Sequence, residues 1–326
     1  MKTKKLNLKD TQYAIDKLKT IFSIQLAKKL NLTRVSAPLF LKKSSGLNDG
    51  LAGEKPVSFL SKDINEELEI VHSLAKWKRD ALLKYGFSIH EGIYADMNAI
   101  RKEEILDNIH SIYVDQWDWE LIINKEERTI NYLKKIVRKI YSALKNTEKN
   151  INKIYPILKN KLAKNIFFIS SNKLYDLYPN ESPSKREYLI AKKYKSVFIY
   201  QIGNNLPDGI PHSKRAKDYD DWMLNGDIIL YDEVNDNALE ISSMGIRVNK
   251  ESLIKQFNLP EDKISAISPY HFKIINNILP LTIGGGIGQS RIAMFLLEKA
   301  HIGEVQVSVW DDKNIEKANE NNIILL

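Results

Sequence analysis

The sequence predicts an α+β fold in which an antiparallel β-sheet is flanked by helices. Apolar residues recur at three- and four-residue steps in several segments, which is typical of helices with one buried face. Other segments are short and β-branched and alternate polar with apolar side chains, as strands do. Several predicted strands follow one another between Asp227 and Val248 with no helix long enough for a crossover, which favours antiparallel pairing.

The first predicted element is an amphipathic helix from Leu8 to Leu30, because its apolar residues keep the helical spacing. A strand is expected from Leu32 to Leu41, with Pro38 at a bend or a sheet edge, where a missing N–H is tolerated. Further strands are expected at Glu69–Val71, Ser111–Leu121, Ile166–Ser170, Val197–Ile202, Ile228–Tyr231, Leu239–Val248 and Val305–Trp310. Further helices are expected at Ser73–Tyr85, Glu127–Lys149, Ser184–Tyr194, Lys250–Phe257, Pro269–Asn277 and Gln289–Leu297.

Composition indicates one globular domain over residues 1–326, since 43% hydrophobic content at this length can bury one large core. No apolar run reaches the roughly 18 residues of a membrane span, and the first ten residues lack the apolar stretch of a secretory signal. We therefore expect a cytoplasmic protein with no membrane partner. The chain has no cysteine, which excludes disulfides, thiolate zinc sites and thiol nucleophiles.

The net charge of +8 is compatible with a nucleic-acid partner or with a site for anionic substrates. Lysine is mixed with asparagine and isoleucine along the whole chain, so most lysine runs are expected to be solvated helix faces. The six histidines are scattered without the spacing of metal ligands.

The glycine stretch GGGIGQSR, residues 284–291, lacks the context of a dinucleotide-binding loop, because it lies near the C-terminus, after an irregular segment, and not early in a βαβ unit. We interpret it as a glycine-rich stretch that opens a helix carrying Arg291. Its glycines would let backbone approach a flat ligand, while Arg291 reaches a phosphate or stacks on a base. The alternative is an ordinary helix-starting turn with a surface arginine.

The stretch HSIYVDQWDWE alternates in its second half, so Gln116, Asp118 and Glu120 should share one sheet face and Trp117 and Trp119 the other. An amide beside two carboxylates suits an α-ammonium group.

In VHSLAKWKR, a strand runs into a helix with Ser73 at a plausible N-cap. Lys76 and Lys78 follow one turn later. The alternative leaves Ser73 as a simple cap and both lysines in water.

Two further stretches carry acidic groups. LEISSMGIRVN brings Glu240 and two serines beside Arg247, and Asp227 is nearby in sequence. Carboxylates at strand ends can hold Mg²⁺ on a triphosphate, and an arginine can bind a carboxylate through two hydrogen bonds. DYDDW, residues 218–222, is either an acidic turn or part of a catalytic site.

These motifs together resemble those of a known enzyme class. The helix and strand at residues 8–41 resemble motif 1 of the class II aminoacyl-tRNA synthetases, Arg101 and Glu103 followed by the QWD strand resemble motif 2, and GGGIGQSR resembles motif 3. Along nearly the whole chain, HSLAKWKR, YVDQWDWE, DYDDW, LNGD, SSMGIR and GGGIGQSR are similar to the ammonia-dependent asparagine synthetases, or aspartate-ammonia ligases. One departure is that Met223 alone separates DYDDW from LNGD, where some members carry a longer segment.

The resemblance implies a reaction and its partners. The β-carboxylate of L-aspartate attacks the α-phosphorus of ATP, with Mg²⁺ as cofactor, to give β-aspartyl-adenylate and pyrophosphate. Ammonia then attacks the acyl carbon and releases L-asparagine and AMP. The resemblance also implies a homodimer formed through the N-terminal helix and the following strand.

The resemblance implies roles for individual residues as well. Arg101 contacts the α-phosphate and Arg291 the triphosphate or adenine, and both are expected to be catalytic. The remaining nucleotide-binding residues are Ser111, Tyr219, Ser243, Gly286 and Gly288. The expected Mg²⁺ ligands are Asp227 and Glu240. Lys78 and Arg247 pair with substrate carboxylates, and the ammonium end of aspartate meets Ser73, Gln116 and Asp118. Asp49 or Asp220 takes the proton from ammonium.

Two alternatives have the same core. A tRNA-charging enzyme of the aspartyl type carries an anticodon-reading barrel of about a hundred residues before motif 1, whereas motif 1 begins here within the first ten residues. We therefore expect no obligatory nucleic-acid partner. A catalytically silent relative would tend to lose charged pocket residues, yet these are present: Lys78, Arg101, Asp118, Glu240, Arg247 and Arg291.

A glutamine-using synthetase needs a thiol, which the chain lacks, so free ammonia is the expected nitrogen source.

Overall fold

The computed structural model of the protein describes residues 6–48, 50–51 and 53–326. An eight-stranded sheet forms the centre of the fold, and a three-stranded sheet lies beside it. The strands are β1 Leu32–Arg34, β2 Phe40–Lys42, β3 Ser58–Leu60, β4 Glu67–Ile70, β5 Gly92–Ile100, β6 Tyr113–Ile122, β7 Phe167–Ser170, β8 Ser196–Tyr200, β9 Asp220–Asp232, β10 Asn237–Arg247 and β11 Thr282–Gly288. The helices are α1 Leu8–Leu30, α2 Ala75–Tyr85, α3 Ile130–Ile154, α4 Ser171–Leu177, α5 Pro183–Tyr194, α6 Lys250–Phe257, α7 Glu261–Ser265, α8 Pro269–Ile275, α9 Gln289–Leu296 and α10 Asp312–Glu320.

The large sheet has the strand order β1-β5-β6-β11-β10-β9-β8-β7. The pairs from β5 through to β8 are antiparallel, which confirms the predicted sheet. The two outermost pairs, β1 with β5 and β7 with β8, are parallel, which the sequence did not predict. Helices α4 and α5 lie between β7 and β8 and provide the long connection that a parallel pair requires.

The main hydrophobic core lies between one face of this sheet and helices α1, α3 and α9. Helix α1 has the predicted bounds, begins at the Asn7 cap and buries an apolar stripe at helical spacing that includes Phe22. The ring of Phe22 packs on that of Trp117, with centroids 4.5 Å apart. Trp117 and Trp119 are both buried in this core, so the predicted division of the β6 side chains between two faces is confirmed.

Two predicted strands are not observed as such, and a third, Ile228–Tyr231, is only the last part of the longer strand β9. The segment 32–41 is not one strand: β1 belongs to the large sheet and β2 to the small one. Pro38 lies in the connection between them, where no ladder hydrogen bond is required of it. Residues 305–310 form no strand at all. Val305 and Gln306 are both buried while Val307 and Val309 are exposed, so burial there does not follow the apolar alternation of the sequence.

No helix within the described part of the chain combines the length and the apolar character that spanning a membrane would need.

Candidate active site

A polar cleft of about 310 Å³ opens at the centre of the large sheet, on the face opposite the tryptophan core. Its walls come from the loop between β5 and β6, from β6, β10 and β11, from the start of α9 and from the loop before β9. Most of the predicted site residues line it: Ser73, Arg101, Ser111, Gln116, Asp118, Tyr219, Asp220, Glu240, Ser243, Arg247, Gly286, Gly288 and Arg291. Lys78 and Asp227 are buried behind these lining residues, and Asp49 lies outside the described residues.

The glycine stretch does not form the helix-starting turn of the alternative interpretation: it is mainly the central strand β11, and α9 begins directly after it at Gln289, as predicted. Its glycines make room for side chains of the neighbouring strands. A Cβ atom on Gly286 would lie 2.1 Å from Oε1 of Gln116, and one on Gly284 would lie 2.0 Å from Oε2 of Glu120. Because β11 carries no side chains at these positions, polar groups of β6 can lie over it and form the cleft floor.

A buried ionic cluster forms that floor. Arg247 donates from Nε to Glu120 Oε1 at 2.9 Å and from Nη2 to Glu120 Oε2 at 2.8 Å, and its Nη1 donates to Asp220. Lys78 donates to Asp118, and its Nζ lies 3.7 Å from Glu120 Oε2. The cluster therefore joins two cations and three carboxylates, which leaves it with one formal negative charge.

Burial and ion pairing act in opposite directions on these groups. Burial lowers the pKa of Lys78 below its ordinary value, against the raising effect of Asp118 and Glu120. Burial would raise the pKa of Glu120, but the charges of Arg247 and Lys78 outweigh it and hold that pKa below its ordinary value. The Glu120 carboxylate is therefore held ionised by its partners.

The start of α2 is fixed to the cleft floor by Asp118. Its Oδ2 accepts from the backbone N–H of Leu74 at 3.1 Å, while its Oδ1 accepts from Lys78. The N-cap is Leu74 rather than the predicted Ser73, whose hydroxyl accepts from the backbone N–H of Ala75 at 3.1 Å. Lys78 is fully buried, so the alternative that leaves this lysine in water is wrong.

The acidic motif DYDDW is not a solvated turn. Asp218 pairs with Lys76 at 2.5 Å, and Asp221 pairs with Arg128 at 2.8 Å. Asp220, which pairs with Arg247, begins β9. The three aspartates therefore form ion pairs with three separate segments: Lys76 in α2, Arg128 before α3 and Arg247 in β10.

The two predicted metal ligands lie on adjacent strands, β9 and β10. Arg215 lies between Asp227 and Ser243, 3.1 Å from Asp227 Oδ1, and donates to both. Burial raises the pKa of Asp227 to about 7, with Arg215 opposing the rise and Glu240 adding to it. Within residues 6–48, 50–51 and 53–326, no group of three or more acidic or histidine side chains could hold a metal ion.

Two arginines at the cleft differ in their partners. The backbone N–H of Arg101 donates to Ile112 at the end of the β5–β6 hairpin, and its buried Nε finds no acceptor among the described residues. Arg291 donates from Nη1 to the backbone carbonyl of Glu240 at 2.9 Å. Arg291 is therefore held in place by the fold, and Arg101 has a free donor for an anion.

Sequence reasoning missed Arg215 and Asp115, which also line the cleft. Arg215 lies three residues before the acidic motif, so the change from basic to acidic residues there was the available signal. Asp115 accepts from the backbone N–H of Ser290 at 3.0 Å, from Gln306 at 3.3 Å and from Lys19 at 3.1 Å. It was overlooked because alternation places it on the tryptophan face.

Comparison with known proteins gives a consistent result. The family model of aspartate-ammonia ligase matches residues 9–322. The aspartate-ammonia ligase of Clostridium perfringens (strain SM101) is 56% identical over 323 residues, which cover 98% of this chain and 96% of that protein. The enzyme of that name from Ureaplasma urealyticum serovar 10 is 53% identical over 324 residues, 99% of this chain and 98% of its own length.

Among solved structures, the asparaginyl-tRNA synthetase of Pyrococcus horikoshii, complexed with asparaginyl-adenylate, superposes with a TM-score of 0.67 at 14% identity. The match covers 91% of this chain and 68% of that one. The asparaginyl-tRNA synthetase of Entamoeba histolytica, also in complex with asparaginyl-adenylate, gives a TM-score of 0.62 at 16% identity. The fold is therefore that of a class II aminoacyl-tRNA synthetase catalytic core, as predicted.

Proposed function

The chain belongs to the aspartate-ammonia ligase family, and we propose that it makes L-asparagine from L-aspartate, ammonia and ATP through a β-aspartyl-adenylate. The β-carboxylate oxygen attacks the α-phosphorus and releases pyrophosphate. Ammonia then attacks the acyl carbon and releases AMP. The observation that carries the proposal is the cleft itself, where a negatively charged floor adjoins Arg101 and Arg215, whose buried Nε atoms find no acceptor among the described residues.

The floor suits the ammonium end of aspartate and the ammonium ion. Its formal charge is −1, and Ser73, Gln116 and Asp118 present oxygen acceptors beside it. We propose that these three groups bind the α-ammonium, and that Arg247, which lines the cleft while holding Glu120, contacts a carboxylate of the substrate.

The geometry changes the role proposed for Lys78. Its side chain is completely buried and already pairs with Asp118, so contact with a substrate carboxylate is not supported. We propose instead that Lys78 keeps Asp118 ionised and oriented toward the cleft. Since Asp118 also bonds the first turn of α2, Lys78 positions that helix as well.

The nucleotide is proposed to bind along β11 and the arginines. Arg101 contacts the α-phosphate, for which its unpaired Nε donor is suited, and Arg291 contacts the triphosphate or the base. The residues proposed to complete this part of the site are Ser111, Tyr219, Ser243, Gly286 and Gly288. Because the chemistry forms no bond to the protein, these groups act by positioning the reactants and stabilising developing charge.

Asp227 and Glu240 fit a Mg²⁺ ion that is also held by phosphate oxygens. Two carboxylates are a suitable set of ligands, since Mg²⁺ is usually bound by one or two carboxylates together with substrate phosphates. Asp227 and Glu240 lie on the paired strands β9 and β10, where Ser243 is opposite Asp227 and Glu240 is opposite Ile229. When bound, Mg²⁺ would neutralise charge on the triphosphate.

Two carboxylates are proposed for handling ammonium, Asp220 and Asp49. Asp220 lines the cleft and is held by Arg247, so it can attract ammonium by its charge. Either residue could accept the proton that must leave before nitrogen becomes nucleophilic.

We further propose a cytoplasmic homodimer. Tyr13 and Ile24 are 56% and 59% exposed and lie three turns apart on the same face of α1. An apolar face of this kind, beside β1, suits pairing with a second copy.

An isotope experiment tests the adenylate. Aspartate labelled with ¹⁸O in its β-carboxylate should transfer one label to AMP when the enzyme turns over with MgATP and ammonium. Label recovered in inorganic phosphate, with ADP as the nucleotide product, would instead show an acyl phosphate and contradict the proposal.

A further inference from the structure

Arg215 occupies a position that the proposed reaction does not explain. It reaches the cleft from the loop between β8 and β9, and it hydrogen bonds Asp227 and Ser243, which face each other on β9 and β10. Its side chain is only 13% exposed. Asp227 was proposed above as a metal ligand, so a protein cation and a metal ion would share one carboxylate.

The loop holds the backbone of Arg215 on both sides. The backbone N–H of Ser213 donates to the carbonyl of Ile202 at 2.9 Å, and the indole N–H of Trp222 donates to the carbonyl of Ala216 at 3.0 Å. Movement of the guanidinium would therefore come from rotation of its long stem and not from opening of the loop.

The guanidinium is also incompletely satisfied. Its Nε is buried and finds no acceptor within the described residues. An unpaired buried donor is costly, and phosphate oxygens match the two-point geometry of a guanidinium. A polyphosphate in the cleft would thus offer Arg215 better partners than Asp227 and Ser243 do.

We propose that Arg215 and a divalent cation compete for Asp227, and that the polyphosphate of the nucleotide resolves this competition by drawing the guanidinium to its own oxygens. This inference rests on the proposed function, since it takes Asp227 and Glu240 as the metal ligands. Its consequence is that the protein alone binds metal weakly, while nucleotide and metal bind together. Such coupling between two ligands is a reciprocal free energy, commonly between 5- and 150-fold in affinity.

The test measures metal and nucleotide binding separately. Mn²⁺ binding to the full chain without nucleotide is followed by the electron paramagnetic resonance signal of free Mn²⁺. Arg215→Gln should bind Mn²⁺ on the order of tenfold more tightly than the unaltered protein, and adding Asp227→Asn should abolish that gain. In contrast, calorimetry with α,β-methylene-ATP and Mg²⁺ should show that Arg215→Gln binds the nucleotide on the order of tenfold more weakly than the unaltered protein does.

Opposite changes in the two affinities separate this role from general damage to the site. Arg186→Gln is the control, since it also removes a buried arginine, but one whose guanidinium donates to the backbone carbonyls of Tyr178 and Pro179 and does not line the cleft. It should leave both affinities unchanged. If Arg215→Gln does not fold, Arg215→Met keeps the aliphatic stem and carries the same expectation.

Unchanged or weaker Mn²⁺ binding in a folded variant would overturn the inference, as would a gain that survives Asp227→Asn. These binding measurements do not depend on turnover. If the opposite shifts appear but the unaltered protein makes no asparagine, the proposed function fails and the competition stands. If asparagine is made and the shifts are absent, the competition alone fails.

Discussion

The substitution Gly284→Ala tests whether the missing side chains of β11 make room for the ionic cluster. The new Cβ would lie 2.0 Å from Glu120 Oε2 and 2.6 Å from Arg247 Nη2, whereas ordinary contact begins at 3.4 Å. The carboxylate must therefore move by about 1.4 Å, the difference between those oxygen distances. Such a shift would stretch the 2.8 Å bond between Glu120 and Arg247 beyond the range of an ion pair.

The expected cost follows from burial. Both partners are almost wholly buried, and breaking a buried pair while its charges remain costs about 3–5 kcal/mol. Thr282, which donates to Glu120 Oε1 at 2.7 Å, would lose its acceptor as well. We expect Gly284→Ala to lower the free energy of unfolding by about 3 kcal/mol or more.

The assay is urea unfolding followed by tryptophan fluorescence at one fixed protein concentration, since the midpoint of an oligomer depends on concentration. Gly288→Ala, in the same strand, is the control, because its nearest new contact is Arg291 Cβ at 3.4 Å. It should change stability by less than about 1 kcal/mol. If Gly284→Ala were as stable as Gly288→Ala, the proposed packing of β11 against Glu120 would be wrong.

Three further predictions concern the nucleotide, the assembly and acid stability. Arg101→Ala should abolish adenylate formation, measured by pyrophosphate exchange, because it removes an unpaired donor at the cleft. Exchange should stay normal in Arg138→Ala, which alters an exposed arginine, and near-normal exchange in Arg101→Ala would refute the assignment. Sedimentation at micromolar concentration should show a dimer that Ile24→Glu converts to a monomer, and a monomeric unaltered protein would count against the pairing surface. Burial holds the pKa values of His72 and His301 below the ordinary 6.5. As pH drops through about 6.5, these histidines therefore bind more protons in the unfolded chain than in the folded protein, and the free energy of unfolding should fall. In urea unfolding at two pH values, His72→Gln should reduce that loss, and an unchanged loss would contradict the role given to His72.

Sequence patterns predicted best the elements whose stability is local. Helices α1 and α6 were predicted with the bounds observed, because the apolar spacing that reveals each helix lies within it and its caps directly flank it. Strand β11 was missed because glycines carry no side chain to show a period, and only its neighbours reveal why none is present. Strand β5 was also missed, although buried and exposed side chains alternate at residues 96–99.

In the candidate site, too, features set by local sequence were predictable and features set by distant partners were not. The residue types and the face they share on β6 were predictable from alternation, and most of the predicted residues line one cleft. The burial of Lys78 was not predictable, because its partner Asp118 is 40 residues away and local sequence gives no measure of solvent access. Arg215 was missed for a similar reason, since its significance depends on Asp227 and on Ser243 across a strand pair.

The most direct test of the proposed reaction is product formation from L-aspartate, MgATP and ammonium chloride, with a parallel reaction that contains tRNA and no ammonium. The account predicts asparagine and AMP in equal amounts in the first reaction and no aminoacyl-tRNA in the second. Aspartyl-tRNA or asparaginyl-tRNA in the second, with no asparagine in the first, would contradict it and identify tRNA as the acceptor.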